Sequence, residues 1–184
     1  ISAQESPLWL RRNAISPDRT QIAFTYKGDI YTVATEGGQA RQITTNPAYD
    51  SDPMWTDDSK TIVFSSYREG SKDIYKVSAK GGEPTRLTTH TGNETPMAVL
   101  ENNDGIIFSA AIQQDAQYGD FPGGTQLYQI GIDGGRPRQV TSLPISNISV
   151  RMDGTLLYED HKGYEDPWRK HHTSSITRDL WLYS

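Results

Sequence analysis

The 184-residue chain contains no cysteine, so disulfides, thiolate zinc sites and a thiol nucleophile are all excluded. No apolar run approaches the roughly 18 residues that a membrane-crossing helix needs. A basic excess is lacking too. Lys and Arg total 18 against 23 Asp and Glu, for a net charge of −5, and phosphate recognition calls for a positive face, so no nucleic-acid partner is expected. Sustained helical periodicity is absent as well. Hydrophobic residues make up only 34%, yet the 10 Tyr, 4 Trp and 4 Phe argue against disorder, because disordered chains are poor in aromatics. The 16 Gly and 10 Pro suit many short strands joined by turns.

What the chain does contain is a repeat. Asp29-Ile30-Tyr31-Thr32-Val33, Gly37-Gly38 and Arg41-Gln42-Ile43-Thr44 return as Asp73-Ile74-Tyr75-Lys76-Val77, Gly81-Gly82 and Arg86-Leu87-Thr88. A third copy reads Gln126-Leu127-Tyr128-Gln129-Ile130, Gly134-Gly135 and Arg138-Gln139-Val140-Thr141, and a fourth opens with Asp179-Leu180-Trp181-Leu182-Tyr183. Each copy follows a polar turn that feeds an apolar strand. These are Ser16-Pro17-Asp18 before Ile22-Ala23-Phe24, Asp57-Asp58-Ser59 before Ile62-Val63-Phe64, Asn103-Asp104-Gly105 before Ile106-Ile107-Phe108, and Asp153-Gly154 before Leu156-Leu157-Tyr158. Asp, Asn, Ser and Gly are the residues that tight hairpin turns demand.

Each unit therefore reads as four short antiparallel strands, A to D. In the first unit A lies near Leu8 to Arg12, B at Gln21 to Tyr26, C at Asp29 to Ala34 and D at Ala40 to Thr44. Four strands recurring every 40 to 50 residues define a β-propeller blade. The fold class is all-β, with about four blades at approximately 8–46, 47–90, 91–142 and 143–184. Counting strands gives fifteen, the outermost strand of the fourth blade being missing after Tyr183, which predicts a piece of a larger propeller. Open blade edges and uncovered blade faces would favour self-association.

The second unit carries a resemblance to known propellers. Asp52-Pro53-Met54-Trp55-Thr56-Asp57-Asp58-Ser59-Lys60, Ile62-Val63-Phe64-Ser65-Ser66, Arg68, Gly70, Asp73-Ile74-Tyr75, Gly81-Gly82-Glu83 and Arg86-Leu87-Thr88 resemble the blade repeat of TolB. They equally resemble the N-terminal propellers of tricorn-type serine peptidases. Glu165-Asp166-Pro167-Trp168-Arg169-Lys170-His171-His172, ending at Arg178-Asp179-Leu180-Trp181, is similar to the tricorn-family blade insertion, with Ser174-Ser175 where a Gly pair is expected. The resemblance implies a non-catalytic propeller that binds or channels peptides or proteins ahead of a protease-bearing half. The alternative is a TolB-like docking propeller with no enzymatic half.

Candidate chemistry within the chain is sparse. No Gly-x-Ser-x-Gly elbow occurs, His90 falls in an interblade turn, and His161, His171 and His172 share one loop, so no catalytic residue is assigned. No cofactor or metal is expected. Adjacent His171 and His172 point to opposite sides of an extended chain, and Asp50-Ser51-Asp52 and Asp57-Asp58 lack calcium-loop spacing and read as turn-capping carboxylates. The peptide-binding candidates are Arg12, on or beside the innermost strand of blade one, together with Trp168, Arg169 and His171. The cations suit carboxylates and the indole suits an apolar anchor. A second long B–C insertion, Gln113 to Thr125, is expected on the same face as the first. The small residue Ala3 suits a signal-cleavage site, and a periplasmic or secreted location is expected.

Overall fold

The computed structural model describes residues 10–112, 125–143, 145–151, 154–160 and 180–183. These contain fifteen strands in four antiparallel sheets, each sheet following chain order as propeller blades do. Blade one comprises β1 (Arg11–Ile15), β2 (Gln21–Tyr26), β3 (Asp29–Ala34) and β4 (Arg41–Gln42). Blade two comprises β5 (Asp50–Trp55), β6 (Thr61–Ser66), β7 (Asp73–Ser78) and β8 (Thr85–Arg86). Blade three holds β9 (Glu94–Val99), β10 (Ile106–Ala110), β11 (Gln126–Gly131) and β12 (Gly134–Thr141). Blade four holds β13 (Ile145–Val150), β14 (Leu156–Asp160) and β15 (Leu180–Tyr183). A single 3-10 turn, Glu101–Asn103, is the one helical element among the described residues.

The turn chemistry explains the hairpins. Asp18 Oδ1 accepts from Ser16 Oγ at 2.6 Å and from the Thr20 backbone N–H at 3.0 Å. Asp58 Oδ1 accepts in the same way from Thr56 Oγ1 at 2.7 Å and from the Lys60 N–H at 3.1 Å. Both turns are thereby closed before a strand begins. The paired glycines follow the third strand in blades one to three because both members take positive φ, 91° and 120° at Gly37 and Gly38, where a side chain would be strained.

The Ile/Leu-Thr pair that closes the first two copies, Ile43-Thr44 and Leu87-Thr88, also has a structural cause. The Ile43 N–H donates to the Ile30 carbonyl at 2.8 Å, and Thr44 Oγ1 accepts from the Ile30 N–H at 2.9 Å. Leu87 and Thr88 treat Ile74 identically, at 2.8 and 2.9 Å. The threonine hydroxyl takes over where a backbone carbonyl would continue the ladder. For that reason β4 ends at Gln42 rather than running to Thr44. The innermost strand also differs from the sequence expectation. β1 runs Arg11–Ile15, later than Leu8 to Arg12, because Ile15 pairs with Ile22 across the Ser16–Asp18 turn.

The core lies between blades, one cluster per interface. Ala23, Ile30 and Ile43 of blade one meet Trp55, Ile62, Phe64, Tyr75 and Val77 of blade two. Val63, Ile74 and Leu87 then meet Ile106, Phe108, Tyr128 and Ile130 of blade three, and Ile107 and Leu127 meet Ile145 and Leu156 of blade four. Stacked Phe–Tyr pairs recur across the two middle strands: Phe24–Tyr31, Phe64–Tyr75 and Phe108–Tyr128, with ring centroids 5.9, 5.9 and 5.8 Å apart. Such stacks add to burial alone. No helix among the described residues is long and apolar enough to cross a membrane.

Candidate functional site

The innermost strands carry an unusual density of charge for a sheet interior. In β1 the register slips between Arg11 and Asn13, and in β5 between Ser51 and Met54. The residues in these bulges, Arg12 and Asp52, take φ of 46° and 54°. A bulge re-aims a side chain that regular alternation would send elsewhere. Here it brings together Arg12 Nε and Asp52 Oδ1 at 3.3 Å, between blades one and two.

Asp52 has a second, shorter partner. Lys72, in the segment entering β7, places Nζ 2.8 Å from Asp52 Oδ2 and donates to Thr95 Oγ1 of β9 at 3.1 Å. Ser51 Oγ donates to the same carboxylate at 2.9 Å. Burial pushes the Asp52 carboxyl up, but the Lys72 hydrogen bond and charge, Ser51 and Arg12 together hold it below its ordinary value. The result is a polar chain, Arg12–Asp52–Lys72–Thr95, that crosses three blades. Its Arg12 end is open to solvent, with 74% of the side chain exposed, whereas Lys72 and Asp52 are largely covered.

A second set of charges lies where the third strands begin. Asp50 pairs with Arg68 at 2.9 Å, and Asp73 with Arg86 at 2.9 Å. Blade one has Gln42 donating to Asp29 at 3.0 Å in the place of Arg86, and blade three has Gln139 donating to Gln126 at 3.1 Å. The first two interblade boundaries also juxtapose two acids each. Asp29 is raised by its burial and by Asp50. Glu94, fully buried, is raised to about 7, chiefly by desolvation and further by Asp73. Neither Glu94 oxygen has a hydrogen bond of ordinary geometry. At the third boundary the corresponding positions are Gln126 and Ile145, and the acid pair is gone.

The structure thus places Arg12 on the innermost strand, as the sequence suggests, and ties it to a carboxylate. Asp58 caps a turn as expected. Asp50 and Asp52 do not: they lie inside β5 and form ion pairs. Sequence reasoning missed Asp52, Lys72 and Glu94 as interacting groups, and reads Asp52 as a turn-capping carboxylate. Trp168, Arg169 and His171, and the Gln113 insertion through residue 124, lie outside the described residues. His90 is engaged locally, Nδ1 accepting from the Gly92 N–H at 3.0 Å. Among the described residues no group of three or more His, Asp or Glu could hold a metal ion.

Comparison with known proteins agrees with this architecture. The TolB of Acinetobacter baumannii matches with a TM-score of 0.68 at 18% identity, over 86% of this chain and 39% of its own. A TolB-type structure from Agrobacterium tumefaciens gives 0.67 at 22%, over 82% and 53%. The tricorn protease gives 0.70 at 21%, over 97% of this chain and 18% of its own. The chain thus spans about half or less of each of these solved proteins, and at such identities they show the fold alone. No curated protein sequence matches. Residues 7–184 match the family described as the tricorn protease N-terminal beta propeller domain, and the chain belongs to that family.

Proposed function

We propose that the chain is the non-catalytic propeller of a tricorn-like serine peptidase, and that it binds or channels peptides across the face carrying Arg12. The observation that carries this reading is the Arg12–Asp52–Lys72 chain on the innermost strands. There an exposed guanidinium is held in place by a largely covered carboxylate, which favours capture of a peptide carboxylate. Trp168, Arg169 and His171 would add an apolar anchor and further cations from the fourth blade. A periplasmic or secreted location belongs to the same reading. Catalysis would reside in a part of the parent polypeptide other than these residues.

The test is fluorescence anisotropy with matched peptides bearing a free or an amidated C-terminus. The free carboxylate is expected to bind more tightly, and Arg12→Ala to remove about a fivefold difference, near 1 kcal/mol. Equal affinity of the two peptides, or no effect of Arg12→Ala, would refute the assignment. The second reading is a docking module without an enzymatic half, favoured by the likeness to the TolB structures. It predicts capture of a folded partner and no affinity for short peptides.

A further inference from the structure

The boundary between blades one and two contains an open hollow of about 700 Å³, and both of its walls belong to blades of this chain. Blade one contributes Thr32 of β3 and Arg41 of β4, which are register partners. Blade two contributes Ser59 and Lys60 from the turn before β6, Ser78 at the end of β7, and Lys80 just beyond it. Three cations therefore line one hollow in a chain of net charge −5, and no carboxylate lines it. Among the described residues none of the three forms an ion pair. Arg41 Nη2 donates instead to the Lys80 backbone carbonyl, which fixes the guanidinium across the boundary without neutralising it. Asp18 and Asp58, in the flanking turns, each commit Oδ1 to donors of their own turn. Ser59 Oγ and Ser78 Oγ accept from the Asp18 and Lys80 N–H groups, both at 3.1 Å, so each hydroxyl keeps its own proton to donate.

The next boundary shows the same positions balanced by the protein itself. Four residues before the phenylalanine of the aromatic stack stand Lys60 in blade two and Asp104 in blade three. Five residues after its tyrosine stand Lys80 and Asp133. Both lysines thus become aspartates one repeat later. There Lys76, in the strand position that Thr32 holds in blade one, bonds Asp133 Oδ1 across the boundary at 2.6 Å. The second boundary pairs opposite charges; the first gathers like charges, which repel until an anion joins them.

We propose that this hollow binds a small polyanion, a molecule with two or more phosphate- or carboxylate-type groups. Three cations from two blades can engage more than one such group, and the two hydroxyls add neutral donors. Charge-assisted hydrogen bonds to these oxygens are the strong ones. The inference is independent of the peptide-binding reading. The hollow lies at the end of the strands where β1 turns into β2, the end of Gln21 and Ala34, whereas Arg12 lies at the opposite end of β1, beside the Arg11–Thr25 pair.

The experiment is calorimetric titration of the protein with diphosphate, citrate and orthophosphate, at low and high salt. Diphosphate or citrate is expected to bind about tenfold more tightly than orthophosphate, with affinity falling as salt rises. Binding of diphosphate alone would identify the groups as phosphates and binding of citrate alone as carboxylates; either upholds the proposal. Lys60→Asp and Lys80→Asp install the third blade's residues at these positions, and each should weaken binding about tenfold or more. Both lysines are exposed, so thermal unfolding without ligand should match the parent or exceed it. Lys27→Asp changes net charge equally at the other end of the blade and should alter affinity by less than about twofold, because exposed charges at a distance are screened. Arg12→Ala should leave polyanion binding unchanged, which separates this site from the peptide site. Failure of both polyanions to bind at low salt, an equal affinity for orthophosphate, or equal weakening by Lys27→Asp and the two hollow variants would each overturn the proposal.

Discussion

Arg68 and Asp50 form the most enclosed ion pair among the described residues: 2.9 Å apart, with side chains 11% and 0% exposed. The guanidinium also donates from Nε to Ser66 Oγ at 3.0 Å, and its carbon lies 5.6 and 5.2 Å from the ring centres of Phe64 and Tyr75. One arginine thereby joins the entry of the innermost strand, the end of the second and the aromatic stack. Removing one partner leaves a buried charge uncompensated. Arg68→Ala is expected to cost about 3–5 kcal/mol. Adding Asp50→Asn should recover part of that loss. Urea unfolding of the two single variants and the double variant measures the coupling, and additive effects would contradict it.

Glu94 gives the blade two–blade three boundary a pH dependence of defined sign. Its folded value, about 7, lies above the ordinary 4.5, so the folded chain holds a proton that the unfolded chain releases. The stabilising effect of that proton is complete below about 4.5 and is lost as pH rises through about 7. Glu94→Gln keeps the shape and removes the titration. The variant should match the parent at pH 4.5 and unfold at higher temperature at pH 8. A parallel pair of pH profiles would show that the carboxyl does not titrate in this window.

Thr44 tests the substitution of a side-chain oxygen for a strand partner. Thr44→Val preserves volume but strands the buried Ile30 N–H, for an expected loss of about 1–3 kcal/mol. Thr44→Ser, which keeps the hydroxyl, should retain most of the stability. Thermal unfolding distinguishes the two, and equal losses would assign the effect to the methyl group instead.

At Gly105 the constraint is space. A Cβ there would meet the Ile130 carbonyl oxygen at 2.5 Å, and that oxygen belongs to a strand backbone held by its neighbours. Gly105→Ala is expected to destabilise by about 1–3 kcal/mol, the range seen for overpacking. Gly70→Ala, which has nothing within 4 Å, controls for the loss of glycine itself, with the added strain of its φ of 93°. A smaller loss at Gly105 than at Gly70 would argue against crowding.

The repeat made the blades readable, because short-range features define them. Ser16-Pro17-Asp18, the paired glycines and the Phe–Tyr register all lie within a single unit. β2 and β3 run Gln21–Tyr26 and Asp29–Ala34, as the sequence suggests. β1 was harder to place: the apolar Leu8-Trp9-Leu10 attracts a strand assignment, while the strand itself is mostly exposed and is positioned by its pairing with β2. The Arg12–Asp52–Lys72–Thr95 chain was not readable at all. Its members come from three blades and meet only because two bulges turn side chains out of regular alternation, and nothing in local pattern reports a bulge.

The innermost strands β5 and β9 begin by fastening themselves to the blade before: the Asp50 N–H donates to the Gly28 carbonyl at 2.7 Å, and the Glu94 N–H to the Lys72 carbonyl at 2.7 Å. Both links reach back by one unit. Long-distance closure entropy is therefore met in small instalments, and a nascent chain can secure each unit as soon as the next strand emerges. Cooperativity in such an array is of nearest-neighbour type, and damage at one junction divides the molecule there while leaving the units on either side able to hold their own form.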